Sequence, residues 1–329
     1  MNNFSFYYSE KIPEFINEFS AVNEMLRLKD IGMNCGCEYT DFKTYRGIKP
    51  YYRYEHSVCA ALITYKFSNN MVQSLAALFH DIATPAFAHS IDFLHGDYLT
   101  QESTEKHTED IIRGSPEICA LLQKYRISID DIKDYHKYPI ADNDTPRLSA
   151  DRLEYTIGNL ENYKFSELNN LRKYYNDLVI AENEFNEPEI SFKSIKIAFE
   201  FAKDALKCSY LYECDEDRYA MQTLSEIISF AIKSGVICEN DLYTTESKVI
   251  AKLNGNTKTA EMWKSYCRLS SLISNESVPL SKRRVVNAKK RYIIPFVCGK
   301  GRLTDLDREF ENMINEFLSK KHDNWLYAE

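Results

Sequence analysis

No stretch of this 329-residue chain approaches the ~20 uninterrupted apolar residues that a membrane-crossing helix needs, so no span is expected. The first residues, Met1-Asn2-Asn3-Phe4-Ser5-Phe6, lack a basic region followed by an apolar core. They read as having no secretory leader, and a cytoplasmic setting is expected. A surplus of positive charge is also missing: 41 Lys and Arg stand against 49 Asp and Glu, a formal net charge of -8. General coating of nucleic acid is excluded by that balance, although a local phosphate pocket is not. Among the nine cysteines there is no Cys-x-x-Cys pair, and the one close pair, Cys35 and Cys37, lacks the usual zinc spacing. Reduced thiols of a cytoplasm fit them best. Internal repeats and low-complexity tracts are absent as well. What remains is a chain with 44% hydrophobic and 13% aromatic residues, long enough for a generous core in one large domain or one domain with an appendage.

The polar chemistry is concentrated. An apolar run from Met71 to Phe79 delivers the adjacent pair His80-Asp81, and after Pro85 the chain reaches His89 and Asp92. An imidazole nitrogen and a carboxylate oxygen are both good ligands for a borderline divalent ion. Two adjacent ligands cannot complete a shell, which directs attention to His56 in Arg53-Tyr54-Glu55-His56-Ser57 and to Asp151 in Ser149-Ala150-Asp151-Arg152-Leu153-Glu154-Tyr155. His56, His80, Asp81 and Asp151 together make a two-His, two-carboxylate set that leaves positions open for water and substrate. Residues 55–68 and 70–80 read as helices joined at Asn69-Asn70, with His56 opening one and His80 closing the other. Converging helix ends are how helical scaffolds build metal sites. If the segment after Pro85 is helical, Asp92 lies one turn from His89 and can orient it as a proton donor to a leaving oxygen. Tyr155 likewise stands one turn from Asp151, within reach of a phosphate or sugar beside the ion.

The order His, His-Asp, Asp resembles the HD-domain metal-dependent phosphohydrolases. The segments around His56, from His80 through Pro85, Phe87 and His89, and from Ala150 to Tyr155 look most like the deoxynucleoside triphosphate triphosphohydrolase branch, over about Arg27 to about Ile228. That resemblance implies a mainly α-helical HD-domain fold with a small strand-containing C-terminal subdomain, divided as an HD phosphohydrolase domain over 1–235 and a helical and β subdomain over 236–329. It implies one divalent ion (Mn, Mg, Fe, Co, Ni or Zn) and a nucleotide substrate, with a deoxynucleoside triphosphate cleaved to deoxynucleoside and triphosphate. It also implies assembly into a homo-oligomer. By the same resemblance His89 is the general acid, and Arg53, Arg152 and Tyr155 neutralise and orient phosphates. His107 lines the phosphate region or ligates a second ion, Gln222 contacts the sugar, and Cys37, Tyr39 and Tyr52 lie near the base.

The chain departs from the pattern at several places: Ala83 replaces a glycine, Thr84 replaces a histidine beside the phosphates, Gly158-Asn159 stands where Arg-Asp is common, and Met221 stands where a sugar-sensing tyrosine would be. These leave room for a nucleotidase or cyclic-nucleotide phosphodiesterase, or for a nucleotide-sensing protein with little turnover. Elsewhere, helical spacing covers 12–28, a hairpin turns around Asn186-Glu187-Pro188, and one long amphipathic helix is expected from Tyr210 to Ile232. A helix capped by Thr244 or Thr245 follows Asp241, and another closes the chain from Leu303 to Leu318. Between them Lys282-Arg283-Arg284 and Lys289-Lys290-Arg291 read as a basic strand with a solvated face. A regulatory nucleotide or a nucleic-acid end is the alternative reading of that stretch.

Overall fold

The computed structural model describes residues 11–96, 107–274, 286, 289–322 and 325–328. Phe15, Ile16 and Phe19 form the buried face of α1 (Glu14–Ser20), which stops at Ala21. A helical turn at Asn23–Leu26 and a 3-10 turn at Arg27–Asp30 complete the region expected as one helix. Next come α2 (Arg53–Ser68) and α3 (Met71–Phe79). Asn69 ends α2 in the left-handed region at φ 50°, a conformation asparagine tolerates. The Asn70 side chain then accepts a hydrogen bond from the Gln73 N–H at 3.1 Å, capping α3. From His56 to Thr64 every residue of α2 is buried, as expected for a helix that is apolar on all sides.

The chain continues through α4 (Ser90–His95), α5 (Thr108–Gly114) and α6 (Pro116–Tyr125) to α7 (Ala150–Asn162), which packs on α2. The Ser149 hydroxyl caps α7 by accepting from the Arg152 N–H at 3.2 Å. After α8 (Leu168–Asn176), β1 (Leu178–Glu182) and β2 (Pro188–Phe192) pair antiparallel, with Leu178 opposite Phe192 and Glu182 opposite Pro188. Asn186, at φ 60°, lies in the hairpin turn. The helix expected over 210–232 begins later, as α10 (Asp215–Lys233), because Tyr210 and Leu211 still close the preceding α9 (Ile195–Leu211) and Tyr212, Glu213 and Cys214 separate the two.

Beyond them lie α11 (Glu246–Asn254), capped by Thr245, and α12 (Thr257–Cys267). The closing elements are β3 (Leu272–Ser274), β4 (Phe296–Val297), β5 (Gly301–Arg302), α13 (Arg308–Ser319) and β6 (Leu326–Ala328). The sheet order is β1-β2-β4-β5, with β4 parallel to β2, and β3 pairs with β6. The protein is therefore mainly helical with a small sheet. The boundary expected at 235/236 falls inside this packing: β4 and β5 extend the sheet begun by β1 and β2, α13 packs on α9, and one hydrophobic cluster runs from Phe15 to Leu326. Lys282, Arg283 and Arg284 lie outside the described residues, and Lys289, Lys290 and Arg291 belong to no strand. No helix among the described residues is long and apolar enough to cross a membrane.

Candidate metal centre

His56 sits in the first turn of α2, and His80 is the residue that ends α3. The Nδ1 of His56 is 2.5 Å from Glu154 Oε2, and the Nδ1 of His80 is 2.6 Å from the Ala77 carbonyl oxygen. An acceptor at each Nδ1 draws the ring proton there and turns the Nε2 lone pair toward the partner ring. The two Nε2 atoms are 3.0 Å apart. Asp151 Oδ1 stands 3.0 and 3.5 Å from them, and Asp81 Oδ2 stands 3.7 and 3.3 Å away. Asp81 Oδ2 is buried and has no hydrogen-bond partner. With both rings in these tautomers four acceptor atoms converge, an arrangement that repels itself unless ring protons or a cation in the middle supply positive charge. Two imidazoles and two carboxylates suit a borderline divalent ion, so the residues fit a metal. His56, His80 and Asp151 form the tightest part of that set.

Protons respond to the same field. Burial lowers the His56 pKa, but hydrogen bonds to Asp151 and Glu154 outweigh it and push it up to about 9. His80 is held well above the usual imidazole range, because Asp81 and Asp151 overcome its burial. Burial raises Asp81, yet Arg53 and the two imidazoles bring it far below the carboxylate range. A divalent ion must displace the His56 proton, which is bound more tightly than at the ordinary 6.5. Apparent metal affinity therefore rises with pH, by about tenfold per unit for each proton displaced, that of His80 adding to that of His56. Competition against a chromophoric chelator between pH 6 and 10 checks this, and a flat profile would remove His56 from the ligand set.

The turn carrying His80-Asp81 is pinned from outside. Arg53 Nη1 donates to Asp81 Oδ1 at 2.7 Å, and Thr84 Oγ1 donates to the same oxygen at 2.8 Å. Arg27 donates to the Ile82 and Thr84 carbonyls at 2.8 and 2.9 Å. Thr84 therefore braces a ligand rather than lining the cavity. On the other side, Tyr51 donates to Glu154 Oε2 at 2.5 Å. Gly158 makes room for that tyrosine: a Cβ there would lie 2.6 Å from the Tyr51 hydroxyl oxygen.

A cavity of about 760 Å³ opens on the cluster. Asp151, Tyr155 and Asn159 line it at one-turn intervals along α7, so it extends away from the ion position along that helix. Tyr212, Asp217 and Met221 form another wall, brought there by the break between α9 and α10. Burial raises Asp217 to about 7 even though Tyr45 donates to it at 2.7 Å. Phe87 and Ala88 carry positive φ of 65° and 43°. This left-handed kink costs side-chain-bearing residues of order 1–3 kcal/mol each, and it turns His89 into the cavity. His89 Nδ1 lies 2.8 Å from Asp92 Oδ2, and its Nε2 lies 3.2 Å from Arg291 Nη2. Burial, with Arg291 and Arg53 adding to it, lowers His89 to about 4 against the pull of Asp92. The expected proton donor is thus a neutral acceptor in the free protein.

Other expected site residues fall differently. Arg152 lines the cavity, but its guanidinium is tied to Asn143, the Arg147 carbonyl and Asp142. His107, half exposed beside Asp110 and stacked edge-on against Tyr243, does not line the cavity. Gln222 does not either. Its amide donates to Glu226 at 3.1 Å, while Met221 takes the cavity-facing position on α10. In the early loop Met33, Asn34 and Cys35 line the cavity instead of Cys37, Tyr39 and Tyr52. Tyr39 lies behind, donating to Glu246 at 2.8 Å. Sequence reasoning passed over Glu154, whose signal was its place one turn after Asp151. It also missed Asp217 and the cavity position of His136, and it left Lys289 and Arg291 on a solvated face.

The fold and cluster define a mainly helical protein whose His56-His80-Asp151 group could hold a metal ion. No protein-family model matches the chain. It is 23% identical over 199 residues to YdhJ of Bacillus subtilis (strain 168), described as an uncharacterized protein. The match covers 60% of this chain and 59% of YdhJ, so the chain spans about three fifths of that relative's length. A crystal structure of a hypothetical protein from Aquifex aeolicus is similar with a TM-score of 0.64 at 18% identity, over 96% of this chain and 92% of the other. That likeness is one of fold alone.

Proposed function

We propose that this chain is an HD-type metal-dependent phosphohydrolase whose substrate is a deoxynucleoside triphosphate, cleaved to deoxynucleoside and triphosphate. The observation that carries the reading is the convergence of ligand atoms from His56, His80, Asp81 and Asp151 on one point of a cavity of about 760 Å³. A bound divalent ion would supply Lewis acidity and an ionisable water there. The protein's own residues do the rest. Arg53 and Thr84 hold Asp81 in place, and Tyr155 lines the path along which a nucleotide would lie. His89 faces the cavity with Asp92 fixing its ring. A phosphate that engages Arg291 replaces the hydrogen bond to His89 and adds negative charge, which raises the imidazole toward the range where it can donate a proton.

His89→Ala is expected to keep the metal and lose turnover by about 10²–10⁴-fold, the usual scale for a general acid. Metal content and single-turnover rates on the same preparation check it, and an unchanged rate would remove His89 from the chemistry. A panel of deoxynucleotides with Mn, Mg, Co and Ni, products resolved by mass, tests the substrate. Triphosphate plus deoxynucleoside is the expected pair. One observation favours a second reading, a nucleotidase or cyclic-nucleotide phosphodiesterase: Thr84, at the position of a family histidine, turns to Asp81 and not to the cavity. Orthophosphate from monophosphates, or opening of cyclic nucleotides, would select it. Metal binding with no product from any nucleotide would favour a sensor.

A further inference from the structure

Two arginines that the sequence offers for phosphate are already engaged. Arg53 donates to Asp81 at 2.7 Å, and Arg152 donates to Asn143 Oδ1 at 2.7 Å and pairs with Asp142 at 3.2 Å. Acidic groups, Asp142, Asp144 and Asp217, also line the cavity. Residues 289–295 bring further positive charge to the same cavity. Lys289 and Arg291 line the cavity. Lys290, between them, points away and donates to the Phe317, Leu318 and Lys320 carbonyls at 2.8, 2.7 and 2.7 Å, at the end of α13. Such alternation is that of an extended chain, which sends neighbouring side chains to opposite sides.

The segment is anchored beyond this staple as well. The Ile294 N–H donates to the Pro146 carbonyl at 2.9 Å, and the Leu303 N–H to the Pro295 carbonyl at 3.0 Å. Further back, the Val286 carbonyl accepts from the buried Arg218 guanidinium. The strap is thus fixed to α13, to the loop before α7 and to the start of α10. It holds Arg291 Nη2 3.2 Å from His89 Nε2.

We propose that Lys289 and Arg291 form the subsite for a substrate's phosphate chain, a proposal that rests on the phosphohydrolase reading and assigns that contact to residues of this strap. A guanidinium fork binds two oxygens of one phosphate, and an ammonium two positions earlier acts as a point charge on the next. The same contact gives Arg291 a new acceptor and releases His89 Nε2 to face the leaving oxygen. This subsite takes over the part that Thr84, turned to Asp81, does not play.

Calorimetry on the full, metal-loaded chain tests it, with inorganic tripolyphosphate and deoxyadenosine monophosphate as probes. Arg291→Gln and Lys289→Gln are each expected to weaken tripolyphosphate by roughly tenfold or more, the effect of one lost charge-assisted contact, and the monophosphate by less than about threefold. Arg291→Lys is expected to recover part of the loss, with metal content unchanged in all three. Equal losses for both probes, or no loss for tripolyphosphate, would overturn the subsite. A wild type that binds monophosphate but not tripolyphosphate would overturn it too, while leaving the phosphohydrolase reading standing. Absence of metal from the wild type would overturn that reading instead. Should Arg291→Gln fail to fold, Lys289→Gln carries the same comparison.

Discussion

On the proposed phosphohydrolase reading, Asp151→Ala is expected to lower nucleotide hydrolysis by about a thousandfold or more while the chain still folds. Asp151 is the second residue of α7, and its Oδ1 stands 3.0 and 3.5 Å from the two Nε2 atoms. Its side chain is 22% exposed, on the cavity side, whereas Asp81 and the histidines lie deeper. Removing it leaves the helix cap at Ser149 in place and opens no large void. What is lost is a ligand, and with it the charge stabilisation that a bound ion gives a phosphoryl transition state. That contribution is several kcal/mol, and ~4 kcal/mol corresponds to about three decades in rate. Steady-state kinetics, metal content and circular dichroism on one preparation separate the effects. A folded Asp151→Ala protein that turns over at the wild-type rate would rule out the proposed centre as the site of chemistry.

The second large effect comes from a residue that touches no substrate. Glu154 is fully buried and accepts from both His56 Nδ1 and Tyr51, each at 2.5 Å. Glu154→Ala removes the acceptor that two buried donors share, at about 1–3 kcal/mol each. The combined loss of stability is expected to be about 3–5 kcal/mol, the scale of breaking a buried charged pair. His56 also loses what fixes its ring and its proton on Nδ1, so metal affinity falls by about 10–100-fold. Glu154→Gln keeps an acceptor and loses less on both counts. Urea unfolding of the metal-free proteins reads the first effect, and metal titration of the folded proteins reads the second. Wild-type metal affinity in Glu154→Ala would mean that the Tyr51–Glu154–His56 chain orients nothing.

The helices that bring the cluster together were legible because their signals are local. Two apolar runs meet at Asn69-Asn70, and a His-Asp pair ends the second; the structure puts the turn there and places His56 and His80 at the expected helix ends. Glu154 was visible only as a position, because its role depends on Tyr51 fitting over Gly158, a contact between distant segments. The break at Tyr212–Cys214 has neither proline nor glycine to announce it, and it is what sets Tyr212 and Asp217 on the cavity wall. Lys289, Lys290 and Arg291 look alike in sequence. Only the fold separates them, because α13 offers carbonyls to Lys290 while its neighbours face the cavity. His107, which the resemblance sets beside the phosphates, stands at the N-terminal end of α5 and packs edge-on against Tyr243, away from the cavity lining.

The metal centre is tested most directly by elemental analysis of the purified chain beside its His80→Ala, Asp81→Ala double variant. One divalent ion per chain in the wild type and none in the double variant is the predicted result. Full occupancy in the double variant would contradict the assignment of the ion to these residues.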